Sequence, residues 1–222
     1  MRRVFQLILL MTIVLVGLAA PSTGSASASA LNEAKLGNLL GVLWTNILQT
    51  PKPQNPFTPG GDRCVDLGGN PHGRIVAPFG LQPPPIRCTV EPGTMIFVAV
   101  YSAECSTVED KPFHGTDEAS LRACARVADA GLSNPNVTVD GQVVPVTEVE
   151  TALLKLTLPT DNIFGTKRPT AKSVGHGWVA LVHPLPSGKH KIKLRIDGTD
   201  AYGNAIDPVT TTIIVKSGRQ EG

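Results

Sequence analysis

Residues 177–215 read GWVALVHPLPSGKHKIKLRIDGTDAYGNAIDPVTTTIIV, and they decide the fold class. Trp178–His183 is a short apolar run, the mark of a buried strand. Pro184 and Pro186 interrupt it, and Gly188 supplies a turn. From Lys189 to Asp197 the residues alternate strictly. His190, Ile192, Leu194 and Ile196 fall on one face, and Lys189, Lys191, Lys193 and Arg195 fall on the other. A strand with one buried and one solvated face requires that pattern. No aromatics interleave with the lysines, so their face reads as solvated sheet surface and not as a nucleic-acid stripe. Asp200, Gly203 and Asn204 mark a further turn, and Thr210–Lys216 is a last strand rich in β-branched residues. Short strands joined by short turns predict packed antiparallel sheets.

The pattern continues toward the N-terminus. Leu154, Leu156 and Leu158 alternate within Thr151–Leu158, and Val137-Thr138-Val139 runs into Asp140-Gly141, a two-residue hairpin signal. Thr94–Tyr101 (TMIFVAVY) is apolar almost throughout, so both of its faces are expected to be buried. One inserted helix is predicted between these strands. Thr116 is its expected cap, Asp117 and Glu118 its first turn, Leu121, Cys124, Ala125 and Ala128 its inner face, and Gly131 its stop. Leu36, Leu39, Leu40, Leu43, Trp44, Ile47 and Leu48 recur at helical spacing and predict an amphipathic helix over 31–50. Lys35 is nearly its only charge, so it lacks the basic face of a membrane-surface helix and is expected to pack on the domain. Residues 51–93 contain 10 Pro and 7 Gly, which excludes long helices there. The β-sandwich domain is therefore read as 51–217, with a Pro/Gly-rich start, and 218–222 as a polar tail.

Met1-Arg2-Arg3, the apolar run Val4–Ala20 and the small-residue run Ser22–Ala30 read as a secretory signal peptide over 1–30. No later segment reaches the length of a spanning helix, so no transmembrane segment is expected in the mature chain. Cys64, Cys88, Cys105 and Cys124 all follow the leader, and an even count in an oxidising compartment reads as two disulfides. Three pairings are open. The local ones, Cys64–Cys88 and Cys105–Cys124, are favoured, each closing a loop of about 20 residues and contributing roughly 3 kcal/mol. The chain has no Cys-x-x-Cys and no His beside a Cys pair, which argues against zinc. Lys+Arg is 20 and Asp+Glu is 18. Arg2 and Arg3 belong to the leader, so the remainder is balanced. That balance excludes a surface built for DNA or RNA and gives no long-range steering toward a charged partner.

The 177–215 stretch resembles the last three strands of a bacterial immunoglobulin-like domain. Pro184-Leu185, Gly188, His190 and Ile192 match the step that opens one strand in that class, and Asp200, Gly203 and Asn204 match the turn before the last. The rest is similar to a family of uncharacterised secreted bacterial proteins. The similarity is carried by Trp44, Asn55-Pro56, Cys64, Cys88-Thr89-Val90-Glu91-Pro92-Gly93, Asp140-Gly141, Leu158-Pro159-Thr160-Asp161-Asn162-Ile163-Phe164-Gly165 and Gly177-Trp178, in that order. It spans most of the mature chain. Two departures stand out: Ile75–Phe79 (IVAPF) replaces a Trp-Phe-Leu step, and the N-terminal helix has one Trp where the family has several. The resemblance implies a mainly β fold, an Ig-like antiparallel β-sandwich with an N-terminal helix and one short inserted helix. It assigns no catalytic residue.

Chemistry is sparse. There is no Gly-x-Ser-x-Gly elbow, no P-loop and no Gly-x-Gly-x-x-Gly, so no catalytic residue, nucleotide site or cofactor is expected. Glu104, Glu109, Asp110, Glu148 and Glu150 are the carboxylates available for acid–base work, but none lies beside an aromatic cluster in the sequence, and they read as surface acids. His176, His183 and His190 are spaced by seven. If 178–183 and 189–196 form a hairpin, His183 faces His190 while His176 stands about 23 Å up its strand, too far for a shared metal. Asp197, Asp200, Asn204 and Asp207 are weak calcium candidates, since calcium favours several oxygens in a flexible loop. Asp and Asn also do turn work unaided, by bonding their own backbone, and that is the preferred reading, so no metal is expected.

The expected function is a secreted, non-catalytic binding module, acting outside the cell or in its envelope on an unknown ligand or protein. Its candidate loops are 106–116, 159–175 and 198–208, because sandwich domains bind through end loops. A structural envelope component would instead expose an apolar patch or self-associate. An extracellular hydrolase would gather acids and a histidine in one cavity.

Overall fold

A computed structural model describes residues 23–70, 73–80 and 85–217, with side chains described from Asn32 onward, Asn70 excepted. The hydrophobic part of the expected leader and the 218–222 tail lie outside the described residues.

The elements in chain order are α1 (Thr23–Leu48), β1 (Cys64–Asn70), β2 (Gly73–Pro78), β3 (Arg87–Val90), β4 (Met95–Ser106), α2 (Glu118–Ala128), β5 (Leu132–Val139), β6 (Gln142–Val144), β7 (Thr147–Glu150), β8 (Leu154–Thr157), β9 (Thr170–Val182), β10 (Gly188–Gly198) and β11 (Val209–Val215). They form two sheets. The first runs β1-β2-β4-β9-β7, with β8 also paired to β9, and the second runs β3-β11-β10-β5-β6. The chain is mainly β, with two sheets packed face to face and α1 covering the outer face of the first.

This three-layer arrangement explains the apolar run in β4. Met95, Phe97 and Ala99 join α1 residues Leu36, Leu40, Leu43, Trp44 and Ile47 in one core. Ile96, Val98 and Val100 join Val137, Ile192, Ile196 and Ile213 between the sheets. Neither face of β4 meets water over Met95–Val100, so neither is polar there. β10 alternates as its sequence predicts, with His190, Ile192 and Ile196 buried and the lysines exposed.

Most strand pairs are antiparallel, but β2–β4 and β3–β11 are parallel. Both parallel pairs involve strands of the Pro/Gly-rich segment. β3 leaves the first sheet between β2 and β4, and a parallel pair needs such a crossover. Both expected disulfides are present, Cys64–Cys88 and Cys105–Cys124. The first ties β1 in one sheet to β3 in the other.

Four expectations are corrected. α1 starts at Thr23, inside the small-residue run, and stops at Leu48, just ahead of Pro51. Ala and Ser tolerate helix, whereas proline cannot continue it. β9 and β10 do not form a hairpin. They belong to different sheets, so Pro184–Ser187 is an arch between layers. α2 is capped by Asp117 and not by Thr116: the Asp117 side chain accepts from the Ser120 backbone N at 2.8 Å, and Ser120 Oγ accepts from the Asp117 backbone N at 3.0 Å. That reciprocal box contributes about 1 kcal/mol. Gly131 does not stop α2. It lies against the Thr199 carbonyl, which a Cβ would meet at 2.7 Å.

Candidate functional site

A cleft of about 590 Å³ opens between the C-terminal half of α1, residues Tyr101–Glu104 of β4 and four loops. Six rings line it: Trp44, Phe57, Tyr101, Phe113, Phe164 and Tyr202. Glu104 and Glu109 supply its carboxyl groups.

Each wall is held by local chemistry. Trp44 packs closely against β9 because residue 175 is glycine; a Cβ there would stand 2.6 Å from its ring. The Trp44 indole Nε1 donates to Ser102 Oγ at 2.8 Å, and Ser102 Oγ donates to the His176 carbonyl at 2.9 Å. A β-bulge between Ala99 and Tyr101 sets the register of this end of β4. Asn55 is fully buried. Its Nδ2 donates to the Ile47 carbonyl at 2.7 Å, closing the end of α1, and its Oδ1 accepts from Phe57 N at 3.0 Å. Phe57 is thereby fixed against Trp44, with centroids 6.1 Å apart.

The other three loops are held in the same way. Asn162, also buried, donates to the Pro159 and Thr166 carbonyls at 2.9 and 2.8 Å and so shapes the turn that carries Ile163 and Phe164. Asp200 accepts from the backbone N of Tyr202 and Asn204 at 2.9 and 2.8 Å, an Asx turn that presents Tyr202 edge-on to Phe113, centroids 5.5 Å apart. Phe113 sits in the loop after β4, which the Cys105–Cys124 disulfide staples to α2.

The carboxyl pair is the unusual feature. Glu104 is buried on β4, and its Oε1 is bonded by Ser173 Oγ. Glu109 accepts from Ser106 Oγ at 3.0 Å. The two carboxyls also hydrogen-bond each other. Burial holds Glu104 well above the usual carboxylate range, and the neighbouring Glu109 adds to this. Burial likewise pushes Glu109 up to about 7, against the bonds from Glu104 and Ser106. Two carboxyls in contact cannot both ionise cheaply, so the pair keeps a proton. Burial also pushes Tyr101 up to about 12, leaving it a neutral phenol.

A second cavity, of about 650 Å³, is polar and lies where α2 ends beside β7 and β9. His176 Nδ1 stands 2.7 Å from Asp129 Oδ2, and Nε2 stands 3.3 Å from Glu148 Oε1. Glu150 lines the same cavity, paired with Arg122 and Arg126. Burial works against a charge on His176, but the Asp129 bond and the nearby carboxylates outweigh it and raise its pKa. No Ser, Thr or Cys lines this cavity among the described residues. An imidazole held at both nitrogens by carboxylates bridges them and has no free nitrogen to act as a base.

No family model matches the chain, and no curated protein matches it. Among solved structures it is similar to the cysteine protease inhibitor EhICP2 from Entamoeba histolytica, at TM-score 0.24 and 11% identity over 60% of this chain and 87% of that one. It is also similar to fibronectin(III)-like modules of Clostridium thermocellum CbhA, at TM-score 0.20 and 13% identity over 61% of this chain and 93% of that one.

The candidate loops all reach the aromatic cleft: 106–116 through Glu109 and Phe113, 159–175 through Ile163 and Phe164, and 198–208 through Tyr202. The second loop is shorter than expected, because Thr170 onward is strand β9. Glu104 and Glu109 do stand beside an aromatic cluster, one assembled from distant segments and invisible as a local pattern. Asp197, Asp200, Asn204 and Asp207 do not form a calcium cage. Asp197 pairs with Arg195 at 3.0 Å and with Asn134, while Asp200 is occupied by its own turn. No group of three metal-ligating side chains converges among the described residues. His176 and His190 are held by Asp129 and Asp140 respectively, in separate places. No helix among the described residues is long and apolar enough to cross a membrane.

Proposed function

We propose that the chain is a secreted, non-catalytic binding module, and that its ligand site is the aromatic cleft. One observation carries this reading. Four loops, α1 and β4 place six rings around one cavity of a size suited to a small ligand or a single projecting side chain. Interior rings normally close on each other, whereas here Tyr202 is 66% exposed and still faces Phe113. The secreted part of the reading is supported by two disulfides, which persist in oxidising compartments.

Ligand-observed NMR against a small panel of alkyl alcohols, alkylamines and monosaccharides tests it. At least one class is expected to bind, with an affinity reduced about 2–10-fold in Tyr202→Ala, the worth of one ring contact. Equal binding by Tyr202→Ala and Phe113→Ala, or no binding by any class, overturns it.

A second reading, an extracellular hydrolase, has one observation in its favour: Asp129, His176, Glu148 and Glu150 share a cavity. Turnover of chromogenic esters or glycosides that His176→Gln abolishes would favour it.

A further inference from the structure

The cleft is apolar on its walls and acidic on its floor. Two of its other polar side chains are already bonded. Ser102 Oγ bonds Trp44 and the His176 carbonyl, and Thr58 Oγ1 bonds the Asn55 carbonyl at 2.8 Å. A sugar would need several donors and acceptors along the walls, which add only the Tyr101 and Tyr202 hydroxyls, with Lys52 at the rim. The strongest acceptors it offers are the Glu104–Glu109 pair, at the bottom of a ring-lined cavity. Rings present negative faces and carboxyls accept hydrogen bonds, so both favour a cation that carries N–H donors.

We propose that the cleft binds a primary alkylammonium group, with its alkyl chain among the rings and its –NH₃⁺ head between Glu104 and Glu109. This rests on the cleft being the ligand site. In the free protein a shared proton bridges the two carboxyls. The entering ammonium donates hydrogen bonds to both in its place, and the displaced proton leaves to solvent, so charge in the site balances. Few other charges face the pair. Lys52 is exposed at the rim and forms no ion pair with either glutamate among the described residues. Tyr101 and Tyr202 are phenols, and Asp200 is occupied by its turn. His114 Nδ1 contacts the Glu109 carbonyl at 2.8 Å, and Arg168 reaches the Thr107 carbonyl at 3.4 Å. The Glu109 carboxyl titrates near 7, so binding tightens as pH rises through neutrality. The amine itself stays charged there, since its own pKa is about 10.4.

The test is titration calorimetry of the oxidised protein with n-hexylamine, 1-hexanol and acetyl-lysine-amide, at pH 6 and pH 8, in two buffers of different ionisation heat. Hexylamine is expected to bind at least 10-fold more tightly than hexanol at pH 8 and to release up to one proton. Glu109→Gln is expected to abolish both the preference and the proton release. Tight binding of acetyl-lysine-amide points to a lysine of a partner protein, and binding of hexylamine alone points to a free amine. Equal binding of hexylamine and hexanol overturns charge recognition and leaves the cleft as the site. Binding of neither, or binding unchanged in Tyr202→Ala, removes the cleft reading as well.

Discussion

Glu104, buried on β4, and Glu109, five residues later in the following loop, hydrogen-bond each other beneath a ring-lined cleft. Such a pair is costly in a fold that gains most of its stability from apolar burial. It stays neutral enough to persist because the two carboxyls share a proton and Ser173 and Ser106 satisfy the oxygens that remain.

The pair makes stability depend on pH. Glu109 titrates near 7 in the folded chain and near 4.5 when unfolded. The stability it contributes is complete below 4.5 and is lost as pH rises through 7, and a shift of that size is worth about 3 kcal/mol. Urea denaturation from pH 5 to pH 8 is expected to show a falling free energy, and Glu109→Gln is expected to flatten the fall. An unchanged slope in that variant would remove Glu109 as its source.

His176 adds to the same fall. Its pKa is raised above 6.5, so its contribution is complete below 6.5 and lost as pH rises through the folded value. Asp129→Asn removes the charge at 2.7 Å from Nδ1. The variant is expected to lower the His176 pKa, read by NMR titration, and to cost about 1.5–3 kcal/mol at pH 6 and less at pH 8. A cost equal at both pH values would mean that the imidazole does not change its charge between them.

The two disulfides have different places in the fold. Each contributes roughly 3 kcal/mol by restricting the unfolded chain. Cys105–Cys124 also anchors the loop that carries Glu109 and Phe113, whereas Cys64–Cys88 ties β1 to β3. Replacing either pair by alanine is expected to lower the melting temperature by a similar amount. Only loss of Cys105–Cys124 is expected to weaken binding of a cleft ligand.

Gly175 makes room for Trp44. Gly175→Ala would put a methyl carbon 2.6 Å from the indole, and the ring must shift. Overpacking of this kind costs about 1–3 kcal/mol. The variant is expected to be destabilised and to lose the Trp44–Ser102 bond, seen as a displaced indole N–H resonance.

Elements with a short repeat were legible from sequence. The β10 alternation, the apolar β4, the helical spacing of α1 and the Asp140-Gly141 turn each encode their structure within a few residues. Asp140 and Gly141 both have positive φ, as such a turn requires. The local disulfides and three of the four cleft loops followed from similar reasoning. The connection from β9 to β10 was not legible, because a Pro-containing connector of that length serves a hairpin or an inter-sheet arch alike. The cleft was not legible either, because residues 44, 57, 101, 113, 164 and 202 form no pattern along the chain. The signals present were small ones: Glu104 interrupting an apolar strand, and Asn55 and Asn162 two positions before Phe57 and Phe164.

The two tryptophans divide the molecule conveniently, since Trp44 lines the aromatic cleft and Trp178 lines the cavity with His176. Their two indole N–H resonances therefore report on the two cavities separately. We would titrate ¹⁵N-labelled protein with n-hexylamine at pH 8 and follow both signals. Saturable movement of Trp44 with Trp178 unmoved is the expected result. Movement of Trp178 alone, or of neither signal, would contradict the placement of the ligand site.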